Sequence, residues 1–150
     1  MRIAVIAPPW APVPPPFYGG IEVAIHHLVT GLKEAGNEVL LCTTGDSTCP
    51  VPRHWVLDEA EGDRIGHAVP ELRHVLHAYE AARGFDIVHD HTTFGPVHAE
   101  RHPGLKVVST IHNPLDADLA DLYNGLAGGS TSSPSRTPGR PRHPACASPG

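Results

Sequence analysis

At 150 residues, 40% of them hydrophobic, the chain is long enough for one domain with a real core, or for part of a larger one. A formal net charge of -5, with only 11 scattered Lys and Arg, excludes the clustered basic surface that a nucleic-acid partner requires. Three cysteines, Cys42, Cys49 and Cys146, are too few and too irregular for a disulfide framework or a Cys-rich zinc site, so a reduced, cytoplasmic setting fits.

The first element is the continuous apolar run Ile3 to Ala7, the pattern of a parallel strand covered on both faces. It is too short for a signal-peptide core or a transmembrane helix, and a soluble protein is expected. Six prolines between Pro8 and Tyr18 then stiffen the chain toward polyproline II geometry. After Gly19-Gly20, the residues Ile21, Ile25, Leu28, Leu32 and Ala35 form one stripe of an amphipathic helix, with Gly36 placed as its C-terminal cap.

Residues 38–43 read as a second strand, which completes a βαβ unit. A short third strand is expected over 53–57. Between Gly66 and Arg83, Val69, Leu72, Val75, Leu76 and Tyr79 give a second helical stripe. Two further strands, 85–89 and 106–111, flank a helical turn near Pro96 to Arg101. A last helix starts in the stretch Leu115 to Tyr123, capped by Asn113 or Asp116. The predicted class is α/β: a Rossmann-like open parallel sheet with helices on both faces.

At about Gly128 the composition changes. Residues 128–150 contain no Val, Ile, Leu, Met, aromatic or acidic residue. Such a segment buries too little to offset roughly 1–2 kcal/mol of backbone entropy per residue, and a disordered tail is expected there. It reads either as an authentic linker or as the end of a chain that left its reading frame near residue 127, since the βα rhythm stops in mid-helix.

In an open parallel sheet, ligands sit outside the carboxyl ends of the strands. A double glycine opening a helix there lets main chain approach a phosphate, with free N–H groups and the helix dipole favouring the anion. The competing reading of Gly19-Gly20 is a sharp turn out of the proline segment. Neither G-x-G-x-x-G nor a P-loop pattern is present, which argues against a dinucleotide cofactor and against P-loop chemistry.

Four segments occur in order: Pro14-Pro-Pro-Phe-Tyr-Gly-Gly-Ile-Glu22, Leu32-Lys-Glu-Ala-Gly-Asn-Glu-Val39, Phe85-Asp-Ile-Val-His-Asp-His91 and Val107-Val-Ser-Thr-Ile-His-Asn-Pro114. Together they resemble the N-terminal domain of family-4 glycosyltransferases, which have the GT-B fold. The resemblance covers about residues 2 to 125. It implies a retaining enzyme that moves a sugar from a nucleotide-diphosphate donor to an acceptor without a bound metal or other cofactor. The Gly-Gly loop, here Gly19 and Gly20, would close on the donor diphosphate, and His112 would lie beside the reacting sugar. Where the family usually has Gly after that His, this chain has Asn113. On this reading residues 1–127 form an incomplete acceptor-side half of a GT-B fold, followed by the 128–150 tail. That half alone is expected to be inactive, and a peripheral membrane contact stays open for the full-length enzyme.

Read from the residues alone, His112 lies just past a strand's carboxyl end, where an imidazole could bond a sugar hydroxyl or a phosphate; a satisfied strand-end His is the plainer reading. Glu22 either complements the helix dipole or orients the loop. Strand alternation puts His89 and His91 on one side, which invites a zinc or iron site. With twelve histidines in the chain such pairs arise by chance, so no metal is expected. Asp90 or His91 is instead a rim contact to the acceptor. The pairs His74/His77 and His98/His102 read as solvated helix positions. Tyr18 and Trp10 either stack on a sugar ring or pack the loop. Two other functions compete: a non-catalytic module that binds phosphate or a partner, and a metal-dependent hydrolase built on His89 and His91.

Overall fold

The structure, a computed structural model, describes residues 1–127. The tail expected to be disordered, 128–150, lies outside the described residues. The elements run β1 (Arg2–Ile6), α1 (Gly20–Glu34), β2 (Glu38–Cys42), β3 (Arg53–His54), a 3-10 turn (Gly62–Arg64), α2 (Ala68–Ala81), β4 (Ile87–Asp90), α3 (Gly95–Ala99), β5 (Val107–Ser109) and α4 (Ala117–Ala127).

All strand pairs are parallel, in the order β3-β2-β1-β4-β5. The chain builds outward from β1 to β3, then returns through α2 to place β4 on the other side of β1. The order therefore reverses between β1 and β4, and the crevice beyond their carboxyl ends is where such sheets bind ligands.

Strand alternation divides β1 between two cores. Ile3, Val5 and Ala7 meet Ile25 and Val29 of α1 on one face. Ala4 and Ile6 meet Val75, Ala78, Tyr79 and Ala82 of α2 on the other. Helices thus cover both faces, as expected for the class. Each fully buried Val or Ile contributes about 1.5–3 kcal/mol through loss of apolar surface to water.

Local chemistry sets the ends of the helices. Gly36 has φ 84°, and its N–H bonds the Lys33 carbonyl at 3.0 Å while Asn37 N–H reaches the Leu32 carbonyl at 3.2 Å. That is the Schellman arrangement, which needs a residue free of Cβ strain at this position. At α4, Asp116 is the cap, its carboxylate accepting the Leu119 N–H at 2.9 Å.

Three expectations need correction. The third strand is two residues long, Arg53–His54. Its ladder to β2 ends at the bond from Thr43 N–H to the His54 carbonyl, and beyond it Gly45 N–H reaches the Leu57 carbonyl. In α1 the inward residues are Glu22, Ile25 and Val29, with Ile21, Leu28 and Leu32 half-buried beside them and Ala35 exposed.

The largest rotation is in α2. Val69, Leu72 and Leu76 are exposed, while Glu71, His74, Val75, Ala78 and Tyr79 face inward. The polar members turn in because each meets a backbone partner there. His74 Nε2 lies 2.9 Å from the Ala7 carbonyl, and Glu71 accepts N–H groups from Thr93 and Phe94. His74 is thus buried, not solvated, whereas His77 is exposed. His98 and His102 pack half-buried on the Tyr79 ring, with centroids 5.1 and 5.4 Å away.

Candidate functional site at the carboxyl ends of the strands

The loop leaving β1 is fastened before it reaches the helix. Val13 is fully buried; its N–H bonds Ser47 Oγ at 2.9 Å, and its carbonyl accepts from Thr48 and Cys49 at 3.0 Å each. The proline segment is thereby clamped to the β2–β3 loop and delivers Gly19 to the start of α1 at a fixed place.

Gly19 is required by space. A Cβ there would come within 2.7 Å of Pro15 Cγ and 2.9 Å of Glu22 Oε2. A Cβ at Gly20 would have no described atom within 4 Å. The helix ladder begins with Val23 N–H to the Gly19 carbonyl, and among the described residues no side chain caps the N-terminus. The N–H groups of the first turn, which have no partner inside the helix, therefore point out of it toward whatever lies at the rim.

That rim is a cleft of about 490 Å³. Gly19, Gly20 and Glu22 form one wall; Glu71, Thr93 and Asn113 form the other. Beneath it a narrow cavity of about 40 Å³ lies between Pro8 and Ile21 on one side and His91 and His112 on the other. Trp10 borders both and also a third groove of about 480 Å³, which it shares with the exposed Phe17 and Tyr18. The ring of Tyr18 is free of loop packing, being 99% exposed.

The β4 side is held by a buried carboxylate. Asp90 is fully buried; its Oδ2 accepts the Tyr79 hydroxyl at 2.7 Å, and its Oδ1 accepts both the N–H and the hydroxyl of Thr92 at 2.8 and 2.7 Å. Burial pushes the Asp90 pKa up, against the pull of those bonds. Asp90 is therefore not a rim contact. It points away from the cleft and shapes the loop that lines it. Glu71 supports the same loop from α2, its pKa also raised by burial.

The histidines converge. His91, 8% exposed, has its Nδ1 2.9 Å from His112 Nε2, with the two rings nearly parallel. The His89 ring lies 4.2 Å from that of His91, and its Nε2 is 2.8 Å from Thr110 Oγ1. His91 Nε2 is buried without a partner among the described residues. Burial, reinforced by His89 and His112, lowers the His91 pKa to about 3, so its ring is neutral at ordinary pH. His112 is exposed at the rim. Beside it, Asn113 donates its side-chain amide to Thr93 Oγ1 at 3.0 Å, tying the loop after β5 to the loop after β4.

Of the residues singled out in the sequence, Gly19, Gly20, Glu22 and Asn113 line one cleft, Tyr18 borders it, and His91 and His112 sit immediately below and beside it. Glu71 and Thr93 were not anticipated, and Tyr79 was read only as part of the apolar stripe of α2. The sequence signal for Glu71 is its three-residue step to His74 on the face that also carries Ala78.

The class is a Rossmann-like α/β domain, with a helix start and an imidazole at the switch point of its parallel sheet. The particular assignment comes from comparison. Residues 18–143 match the model of Glycosyltransferase Family 4, and the chain belongs to that family. A search of curated proteins gives no match. Among solved structures the chain is similar to the crystal structure of AviGT4, a glycosyltransferase involved in avilamycin A biosynthesis, at 26% identity and a TM-score of 0.49. The similarity covers 75% of this chain and 32% of that one, so this chain spans about a third of that protein.

Proposed function

We propose that this chain is the acceptor-side domain of a retaining, hexosyl-type glycosyltransferase that uses a nucleotide-diphosphate sugar. One observation carries the reading: the bare start of α1 opens into the same cleft that Asn113 borders, with the exposed His112 lining the small cavity beside it. A diphosphate against Gly20 meets the N–H groups of the first turn, and the negative charge that builds as the sugar leaves is stabilised there without reorganisation. No metal is needed in this scheme, because preformed N–H donors supply the electrophilic assistance. His112 stands where it can bond a sugar hydroxyl or a phosphate oxygen. The acceptor enters from the side of Trp10 and Tyr18.

Gly20→Trp tests this, because Gly20 lines the cleft and a Cβ there has no described atom within 4 Å, so a bulky side chain is expected to fill the cleft. Calorimetric titration of the chain with uridine or guanosine diphosphate should show binding that the variant weakens by about tenfold or more, roughly 1.4 kcal/mol. Equal affinity in the two proteins would remove the diphosphate from this cleft.

A further inference from the structure

The bond between His91 and His112 constrains both rings. Two facing ring nitrogens 2.9 Å apart must share one hydrogen, so one is an N–H donor and the other a bare acceptor. His91 is neutral, held so by burial, and carries a single N–H. If that hydrogen were on Nε2, it would be a buried donor with no partner, since Nε2 meets none among the described residues. Orphaned buried N–H groups are rarer than under-used acceptors. The hydrogen therefore belongs on His91 Nδ1, which donates to His112 Nε2. With Nε2 accepting, the hydrogen of an uncharged His112 ring sits on Nδ1. No described residue accepts from that atom, and the ring is exposed at the rim.

We infer that His91 is a positioning residue that holds His112 as its Nδ1–H tautomer, making the rim imidazole a hydrogen-bond donor, not a proton acceptor, toward an oxygen entering the cleft. The packing agrees with this role. The His89 ring packs at a tilt against His91 and is itself anchored at Thr110, so the central ring has a neighbouring ring on each side. The ligand oxygen such a donor suits is a phosphate or a sugar hydroxyl lone pair; that last step rests on the glycosyl-transfer reading, whereas the tautomer assignment does not.

The test is long-range proton–nitrogen NMR of the full chain labelled at the imidazole nitrogens, at a pH where the rings are neutral. Both His91 and His112 should show one protonated nitrogen, Nδ1, while exposed rings such as His77 show the mixture of a free side chain. His91→Phe removes the donor and should return His112 to that mixture. His91→Asn, whose amide N–H can stand where Nδ1–H stands, should restore the single tautomer. An Nε2–H form or a mixture at His112 in the unaltered chain overturns the inference, and so does a His112 tautomer that survives His91→Phe. If His91→Phe does not fold, the unaltered chain and the Asn variant decide. Failure here with intact diphosphate binding would strike only the tautomer; loss of Gly20-dependent binding with the tautomer intact would strike only the transferase reading.

Discussion

Gly95→Ala should lower the stability of the domain by about 3 kcal/mol or more, a drop in Tm of roughly 10–15 °C for a chain of this size. A Cβ at that position would overlap the Asp90 carboxylate, both its Oδ2 and its Cγ. The carboxylate cannot swing aside cheaply. It is fully buried, and moving it strands the Tyr79 hydroxyl and the Thr92 N–H, each of which then keeps its full desolvation cost. The Gly95 carbonyl also shares the Tyr79 hydroxyl at 3.2 Å, so a backbone shift breaks a second contact. Gly31→Ala is the control. It lies within α1 with nothing within 4 Å of its Cβ position, and Ala there should hold or raise stability, by up to about 1 kcal/mol. Thermal unfolding of the two variants separates them; similar melting temperatures would mean that the Asp90 network does not fix the β4–α3 loop.

Acid should destabilise the fold through His74. Burial holds its pKa near 4, against an unfolded value of 6.5, so the folded state favours the neutral ring. Its contribution is complete above pH 6.5 and is lost as pH falls from 6.5 toward 4, where the unfolded chain takes up a proton that the folded one resists. The full loss is on the order of 3 kcal/mol. Asp90 and Glu71 act with the opposite sign. Their pKa values are raised, so their burial is costly at neutral pH and relieved as they protonate in acid. His74→Gln isolates the histidine, because the amide N–H can still reach the Ala7 carbonyl and has no proton to gain. Urea midpoints measured from pH 7 to pH 4 should fall less in the variant than in the parent. Parallel slopes would place the acid sensitivity elsewhere, with His91 the next group to examine, its pKa being lowered to about 3.

What could be read from the sequence was what is decided locally. An uninterrupted apolar run gave β1; a glycine past a helical stripe gave the cap at Gly36; Asp116 was one of two residues named for the start of α4. The inner face of α2 was not legible, because hydrophobic periodicity sends Glu71 and His74 outward. Their burial depends on an N–H at Thr93 and a carbonyl at Ala7, which only the folded sheet brings near. Asp90 was within reach of the same alternation that paired His89 with His91, since that rule puts it on the opposite face, under Tyr79. The His91–His112 bond spans 21 residues and needs the register of β4 against β5, in which Asp90 lies beside Ser109. No single-sequence pattern supplies that register.

Binding of a diphosphate to main chain at the start of α1 can be watched by backbone amide NMR during addition of a nucleoside diphosphate. The N–H signals of Gly20, Ile21 and Glu22 should move most, with the His112 ring following. Were those amides to stay still while signals in another part of the domain shift, the diphosphate would not bind at the start of α1.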